Sequence, residues 1–282
     1  MTGHDTDLGI RRILVPLDAS PNARLALHEA AALASGLRAD LMGLFVEDIG
    51  LVRLTELPFA QEVNQLTASV RRLERQQVEQ QMRMQAARMR WELAEICGRL
   101  RIRYRFHVAR GGVAAQVLAA AAEADLVILG RCGWSLAGER RMGSTVRALL
   151  RQGGGMTFVI CPEADASAAT LLIYDGSPLS WKALNAAVHL SRVRATELRV
   201  LLLVPSADRL PSLREELGQG LRVHGVTAQE QPLVAPPVTR LVHAITLHRG
   251  GALVLPATGK VLDELAVQSL LEQVQNPVLL VR

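Results

Sequence analysis

The 282-residue chain is poor in aromatic residues, which make up 3% of it, and it contains three cysteines. So few aromatic faces argue against a single-strand nucleic-acid platform, on which bases must stack. They also mean that the core is built from Ala, Leu and Val. Cys97, Cys132 and Cys161 are odd in number and far apart. They form neither a disulfide framework nor a zinc pattern, and a reduced, cytoplasmic protein is expected. Lysine is almost missing: Lys182 and Lys260 leave Arg to supply the rest of the 32 basic residues behind a formal charge of +5. So strong an Arg bias is compositional, and the charge is not read as a nucleic-acid signature. There is no apolar signal segment at the start and no uncharged 18-residue stretch anywhere, so no membrane insertion is expected.

What is present is an ordinary globular composition, 49% apolar and 21% charged, at a length that allows one large domain or two small ones. Short apolar runs alternate with helical patterns. Ile13–Val15 leads into Pro16-Leu17-Asp18-Ala19-Ser20, and a helix follows from about Asn22 to Ser35. Leu41–Val46, Ile102–Val108, Asp125–Leu129 and Thr157–Ile160 read as further strands, with helices at Val113–Ala122 and Thr145–Arg151. Near-continuous apolar strands alternating with helices predict a parallel sheet covered on both faces.

Residues 162–169, PEADASAA, read as a linker, after which the pattern starts again. Leu171–Tyr174 runs into Asp175-Gly176-Ser177-Pro178, echoing Asp18-Ala19-Ser20-Pro21, and the order of elements repeats to a last strand at Pro277–Val281. The repeat is an internal duplication, with domains expected at 1–162 and 163–282. Within the first, Val63, Leu66, Val70, Leu73, Gln77, Gln80, Met84, Ala87, Trp91 and Ala94 hold 3–4 spacing. That spacing predicts a helix over about 59–98, roughly 60 Å long at 1.5 Å per residue. Met82, Ala86, Met89, Leu93 and Ile96 give it a second apolar face. A packing helix with a solvated basic face is the plainer reading, and a dimerisation helix the functional one.

The segment that carries chemistry is Gly130-Arg131-Cys132-Gly133, then nine residues, then Gly143-Ser144-Thr145. It runs from the end of a strand to the start of a helix. Glycines there let backbone amides approach an anion, and the helix start adds unsatisfied N–H groups and a positive dipole end. At the carboxyl edge of a parallel sheet such a loop faces the crevice where strand order reverses, opposite Asp18. Taken with Asp18-Ala19-Ser20-Pro21, the first half resembles a universal stress protein domain, and the whole chain resembles a tandem member of that family. The resemblance covers nearly everything except the long helix.

The resemblance implies two flavodoxin-like α/β domains, each a five-stranded parallel sheet of order 3-2-1-4-5. It implies ATP, with or without Mg²⁺, as the ligand of the first. Pro16, Leu17 and Asp18 would line the adenosine pocket, with Val46 at the adenine. Leu129 and Gly130 would flank the ribose, and Gly133, Gly143, Ser144 and Thr145 would hold phosphates. Arg131-Cys132 and Gly153-Gly154-Gly155 depart from the family pattern. In the second half Leu255-Pro256-Ala257-Thr258-Gly259 offers a proline in place of the first glycine, Asp263 and Glu264 would repel phosphate, and no later Gly-Ser follows. No ATP is expected there.

No nucleophile arrangement, Walker motif or metal-ligand cluster occurs. His243 and His248 are not on one helix face, and Cys132 is read as a passive loop thiol. No catalytic or metal-ligating residue is therefore assigned. The reading is a cytoplasmic ATP-binding stress-response protein whose nucleotide switches conformation or partner, with a homodimer or a pseudo-dimer of its two domains and a protein partner unspecified. A slow ATPase, served by Arg131, Arg140 or Arg141, and an interaction scaffold without nucleotide are the alternatives.

Overall fold

The computed structural model describes residues 8–57, 61–63, 70–72, 74–131, 142–162, 165, 167–248 and 250–282. In the first half, β1 (Arg12–Pro16), α1 (Pro21–Leu37), β2 (Asp40–Asp48) and α2 (Ile49–Leu54) come first. A short pair, β3 (Gln61–Val63) and β4 (Val70–Arg72), follows, and then α3 (Arg75–Leu100), β5 (Tyr104–Gly111), α4 (Val113–Ala121), β6 (Leu126–Gly130), α5 (Ser144–Gln152) and β7 (Met156–Ile160). The second half runs β8 (Thr170–Tyr174), α6 (Pro178–Arg194), β9 (Leu198–Val204), α7 (Leu210–His224), β10 (Ala228–Val234), α8 (Val238–Thr246), β11 (Leu253–Pro256), α9 (Glu264–Gln273) and β12 (Val278–Val281).

The repeated Asp-x-Ser-Pro is a helix-starting device. Ser20 caps α1 by accepting the Ala23 N–H at 3.1 Å, and Pro21 fills a first-turn position where its missing donor costs nothing. Ser177 and Pro178 do the same for α6, where Ser177 accepts the Ser180 N–H at 3.2 Å. In each turn the aspartate accepts the N–H of the serine two residues on, at 3.0 Å in both halves. The residue between them is left-handed, with φ of 59° at Ala19 and 69° at Gly176. Glycine takes that conformation freely, whereas alanine is strained in it.

Within each half the strands are parallel and ordered 3-2-1-4-5, as β5-β2-β1-β6-β7 and β10-β9-β8-β11-β12. The halves then join edge to edge. β12 pairs antiparallel with β7, with Val278 opposite Val159, Leu279 opposite Phe158 and Leu280 opposite Thr157, so one ten-stranded sheet crosses the chain. Successive strand residues face opposite layers: Ile13 and Val15 belong to the core on the side of α1, α3, α6 and α7, and Leu14 to the core on the side of α4, α5, α8 and α9. Arg194 of α6 reinforces the join by pairing with Glu29 of α1 at 2.7 Å and lying 5.4 Å over the Phe158 ring.

The long helix differs from the expectation in extent and in face. α3 begins at Arg75, about 39 Å long at 1.5 Å per residue. Residues 61–63 and 70–72, expected as helix, are strands paired antiparallel with Val63 opposite Val70. Two β-branched valines suit such a pair better than a helix interior. Leu66 and Leu73 lie outside the described residues. The face that packs is the second one, Val78, Met82, Ala86, Met89, Leu93, Ile96 and Cys97, whereas Met84 and Trp91 of the first stripe are 66% and 64% exposed. α3 is a packing helix on β2 and β5, tied to α1 by Arg24–Glu92 at 3.0 Å.

Each face has one core cluster, and both clusters draw on both halves. Thermal unfolding followed by calorimetry is therefore expected to give one cooperative transition, and two separated transitions would show halves that unfold independently. Phe158→Ala, at a fully buried seam position, is expected to cost about 3–5 kcal/mol in urea unfolding.

Candidate functional site

A cleft of about 410 Å³ opens at the carboxyl ends of β1, β2 and β6, closed by the starts of α1, α4 and α5. This is the crevice position of a sheet whose order reverses between β1 and β6. Of the residues singled out from sequence, Pro16, Leu17, Asp18, Val46, Leu129, Gly130, Gly143, Ser144 and Thr145 all line it. Gly133 lies outside the described residues. Leu44, Val46, Val113, Val117 and Leu129 supply apolar wall, and Asp18, Asp48, Ser144 and Thr145 supply polar groups.

Lining residues outside that set include Arg131, Asp48, Val113 and Val117. Asp48 was missed because β2 runs on two residues past Val46; there it caps α2, accepting the Gly50 N–H at 2.8 Å. Val113 and Val117 sit one turn apart at the start of α4. Their i, i+4 spacing directly after Gly112 was the available signal.

The polar end of the cleft is the start of α5. Its N-cap is Gly143, which has no side chain to offer, and no side-chain hydrogen bond caps the helix among the described residues. The first-turn N–H groups of a helix need partners from outside it, and Gly143, Ser144, Thr145 and Val146 at this start all line the cleft. At the loop's ends, Arg131 donates its N–H to Ile160 and accepts the N–H of Gly143, at 2.8 and 2.9 Å.

The structure adds a packing reason for one residue of this loop and relocates the charge of another. Gly130 is glycine because of its own chain: a Cβ there would stand 2.6 Å from Asn22 Cβ and 2.9 Å from the Asn22 backbone. Arg131 does not put its charge on the polar end of the cleft. Its guanidinium is buried, 3.8 Å from Cys161 Sγ and 3.4 Å from the Leu271 carbonyl of α9. Cys132, Arg140 and Arg141 lie outside the described residues.

At the equivalent corner of the second half the polar groups engage one another, beside a smaller cavity of about 260 Å³ lined by Asp175, Val204, Leu213 and Lys260. Asp175 accepts hydrogen bonds from the Ser180 hydroxyl and from the backbone N–H groups of Ser177, Lys260 and Val261, the Val261 bond at 3.1 Å. The Lys260 ammonium donates to the Gly176 carbonyl. Burial pushes the Asp175 carboxyl up, but the hydroxyls of Ser180 and Ser177 and the N–H groups of Ser177 and Val261 outweigh it and hold the group below the usual aspartate value. At the start of α9, Asp263 caps the helix by accepting the Ala266 N–H at 2.8 Å. The N-terminus left open in α5 is occupied in α9 by a carboxylate.

No helix among the described residues is long and apolar enough to cross a membrane. No curated protein sequence matches the chain. Solved structures share its fold from end to end. One is a universal stress protein from Archaeoglobus fulgidus, with TM-score 0.69 and 15% identity over 96% of this chain and 98% of that one. Another is a putative universal stress protein from Pseudomonas aeruginosa UCBPP-PA14, with TM-score 0.63 and 15% identity over 98% and 95%. A functionally unknown protein from Pseudomonas aeruginosa PAO1 aligns at TM-score 0.65 and 15% identity over 97% and 93%. The model of the universal stress protein family matches residues 9–159, more than half of the 282, and the chain therefore belongs to the universal stress protein family, as a tandem member with two halves of the same fold.

Proposed function

We propose that the first half binds ATP and that nucleotide occupancy sets the conformation in which the chain meets a partner. The observation that carries this reading is the difference between the two helix starts: α5 is uncapped at Gly143 and borders a 410 Å³ cleft, whereas α9 is capped by Asp263. The apolar wall of Leu44, Val46, Val113, Val117 and Leu129 suits a planar base. Asp18 is the acceptor for nucleoside hydroxyls, and the α5 amides with Ser144 and Thr145 are the donors for phosphate. The strained Ala19 turn, which aims Asp18, is the kind of backbone outlier that gathers at working sites. The burial of Arg131 against the other half takes away one of the arginines on which an ATPase reading drew. The second half, with Asp175 and Asp263 engaged by its own amides, is a structural partner that leaves nucleotide to the first.

Denaturing freshly purified protein and chromatographing the supernatant tests the reading. About one ATP per chain is expected, and no nucleotide together with no binding on adding ATP back would overturn it. Ser144→Ala is the suitable control, because Gly130 is fixed by Asn22 packing and its replacement would disturb the fold. Asp18→Ala is expected to weaken ATP affinity about tenfold or more in calorimetric titration, the scale of one hydrogen bond to a charged group.

Asp175 has a pH signature. Its folded-state value is lowered, so the stability it contributes is complete above its unfolded value of about 4 and is lost as pH falls through the lower folded one. Asp175→Asn is expected to cost about 1–3 kcal/mol at pH 7. The gap from wild type should close as pH drops below about 4, and a gap constant with pH would contradict this assignment.

A further inference from the structure

The two halves exchange guanidinium groups across the seam, and both exchanges involve the phosphate-facing element of the first half. Arg131, the first residue of the loop after β6, reaches across to the carbonyl of Leu271 in the last turn of α9. Arg282, directly after β12, donates from Nη2 to the carbonyl of Leu150 in the last turn of α5. Leu150 and Leu271 are equivalent positions, each three residues before the C-cap, at Gly153 and Val274. Carbonyls in the last turn lack partners within their helix and carry the negative end of its dipole, so a guanidinium is well matched to both.

The acceptors are equivalent, but the donors follow a fourth strand in one half and a fifth in the other, and the consequence is asymmetric. On the first-half side the exchange holds both ends of one device. Arg131 lies between Gly130 and the segment that returns at Gly143, to which its own carbonyl is hydrogen-bonded at 2.9 Å. Arg282 holds the far end of α5, the helix whose open start borders the cleft. Cys161 extends the contact: its Sγ is 3.8 Å from Arg131 and 3.4 Å from the carbonyl of Asn276, whose amide in turn donates to His248 and Gly251 of the second half.

We propose that Arg131 and Arg282 are positioning residues through which the second half sets the geometry of the α5 start, so that the half without its own open site tunes anion binding in the other. The proposal rests on the nucleotide reading of the first-half cleft. By linkage, nucleotide bound at the α5 start strengthens the contacts of Arg131 and Arg282 with the opposite half to the same degree. Arg131 lines the cleft, but in this scheme both guanidinium groups act on carbonyls of the opposite half and not on the nucleotide.

The test uses the full chain carrying Arg131→Met, Arg282→Met or, as a seam control, Arg194→Met. Arg194 bridges the halves through Glu29 of α1 and the Phe158 ring of β7. Two readouts are taken: hydrogen exchange of peptides covering residues 143–152, and ATP affinity by calorimetry. Arg131→Met and Arg282→Met are expected to speed exchange there and to weaken ATP about tenfold, within the range of ordinary coupling between sites. Arg194→Met should lower the melting temperature and leave both readouts unchanged, and Arg131→Lys should recover part of the loss. If a methionine variant fails to fold, the lysine variants at 131 and 282 take its place. Unchanged exchange and affinity in folded Arg131 and Arg282 variants would overturn the proposal, as would equal loss in Arg194→Met. Wild type that binds no ATP sinks the nucleotide reading by itself, and the exchange data then decide separately whether the arginines order α5.

Discussion

Three opposed residue pairs between β7 and β12 determine the character of this protein. Each half ends its parallel sheet on its fifth strand, and a parallel sheet left open there would expose a row of unpaired backbone groups. Antiparallel pairing of the two closing strands satisfies both edges at once. It also sets α1 beside α6, so that Arg194 meets Glu29, and brings the ends of α5 and α9 within reach of arginines from opposite halves. The free edges are displaced to β5 and β10 at the far ends of the sheet.

Duplication gave both halves the same turn, and the turn has met two fates. In the first, Asp18 orders its own serine turn and borders an open cleft. In the second, Asp175 does the same and then takes the amides of Lys260 and Val261, which draws the β11–α9 loop down over the corner. The substitution of Pro256 for a glycine, the shorter loop and the carboxylate of Asp263 all follow the same course. In this loop the carboxylates of Asp175 and Asp263 satisfy amides of the chain itself, as buried backbone donors require.

Much of this was legible beforehand. The duplication follows from the apolar runs and the Asp-x-Ser-Pro echo, whereas the strand order in each half and nine residues that line the cleft follow from the resemblance to the universal stress protein family that those motifs and the glycine spacing carry. The seam was anticipated only as a pseudo-dimer of the two domains, because residue periodicity does not state which edges pair. The helix length was misread because 3–4 spacing continues through Val63 and Val70, where β-branched residues form a short strand pair. Gly130 looked like an anion-approach glycine, and its neighbour Asn22 is 108 residues away in sequence. Arg131 looked like a phosphate-side charge because its partners, Cys161 and Leu271, are distant in the chain. Contacts between remote segments carry these differences, and no local pattern encodes them.

The central claim is that one chain holds one open anion site and one closed by its own amides. A crystal structure grown with a hydrolysis-resistant ATP analogue addresses it directly. The expected result is a single nucleotide in the first-half cleft, with phosphates at the Gly143–Thr145 backbone, the base against Val46 and Leu129, and Asp175 still bonded to Lys260 and Val261. Nucleotide in the second half, with those Asp175 bonds broken, would contradict it, as would an empty first-half cleft at saturating ligand.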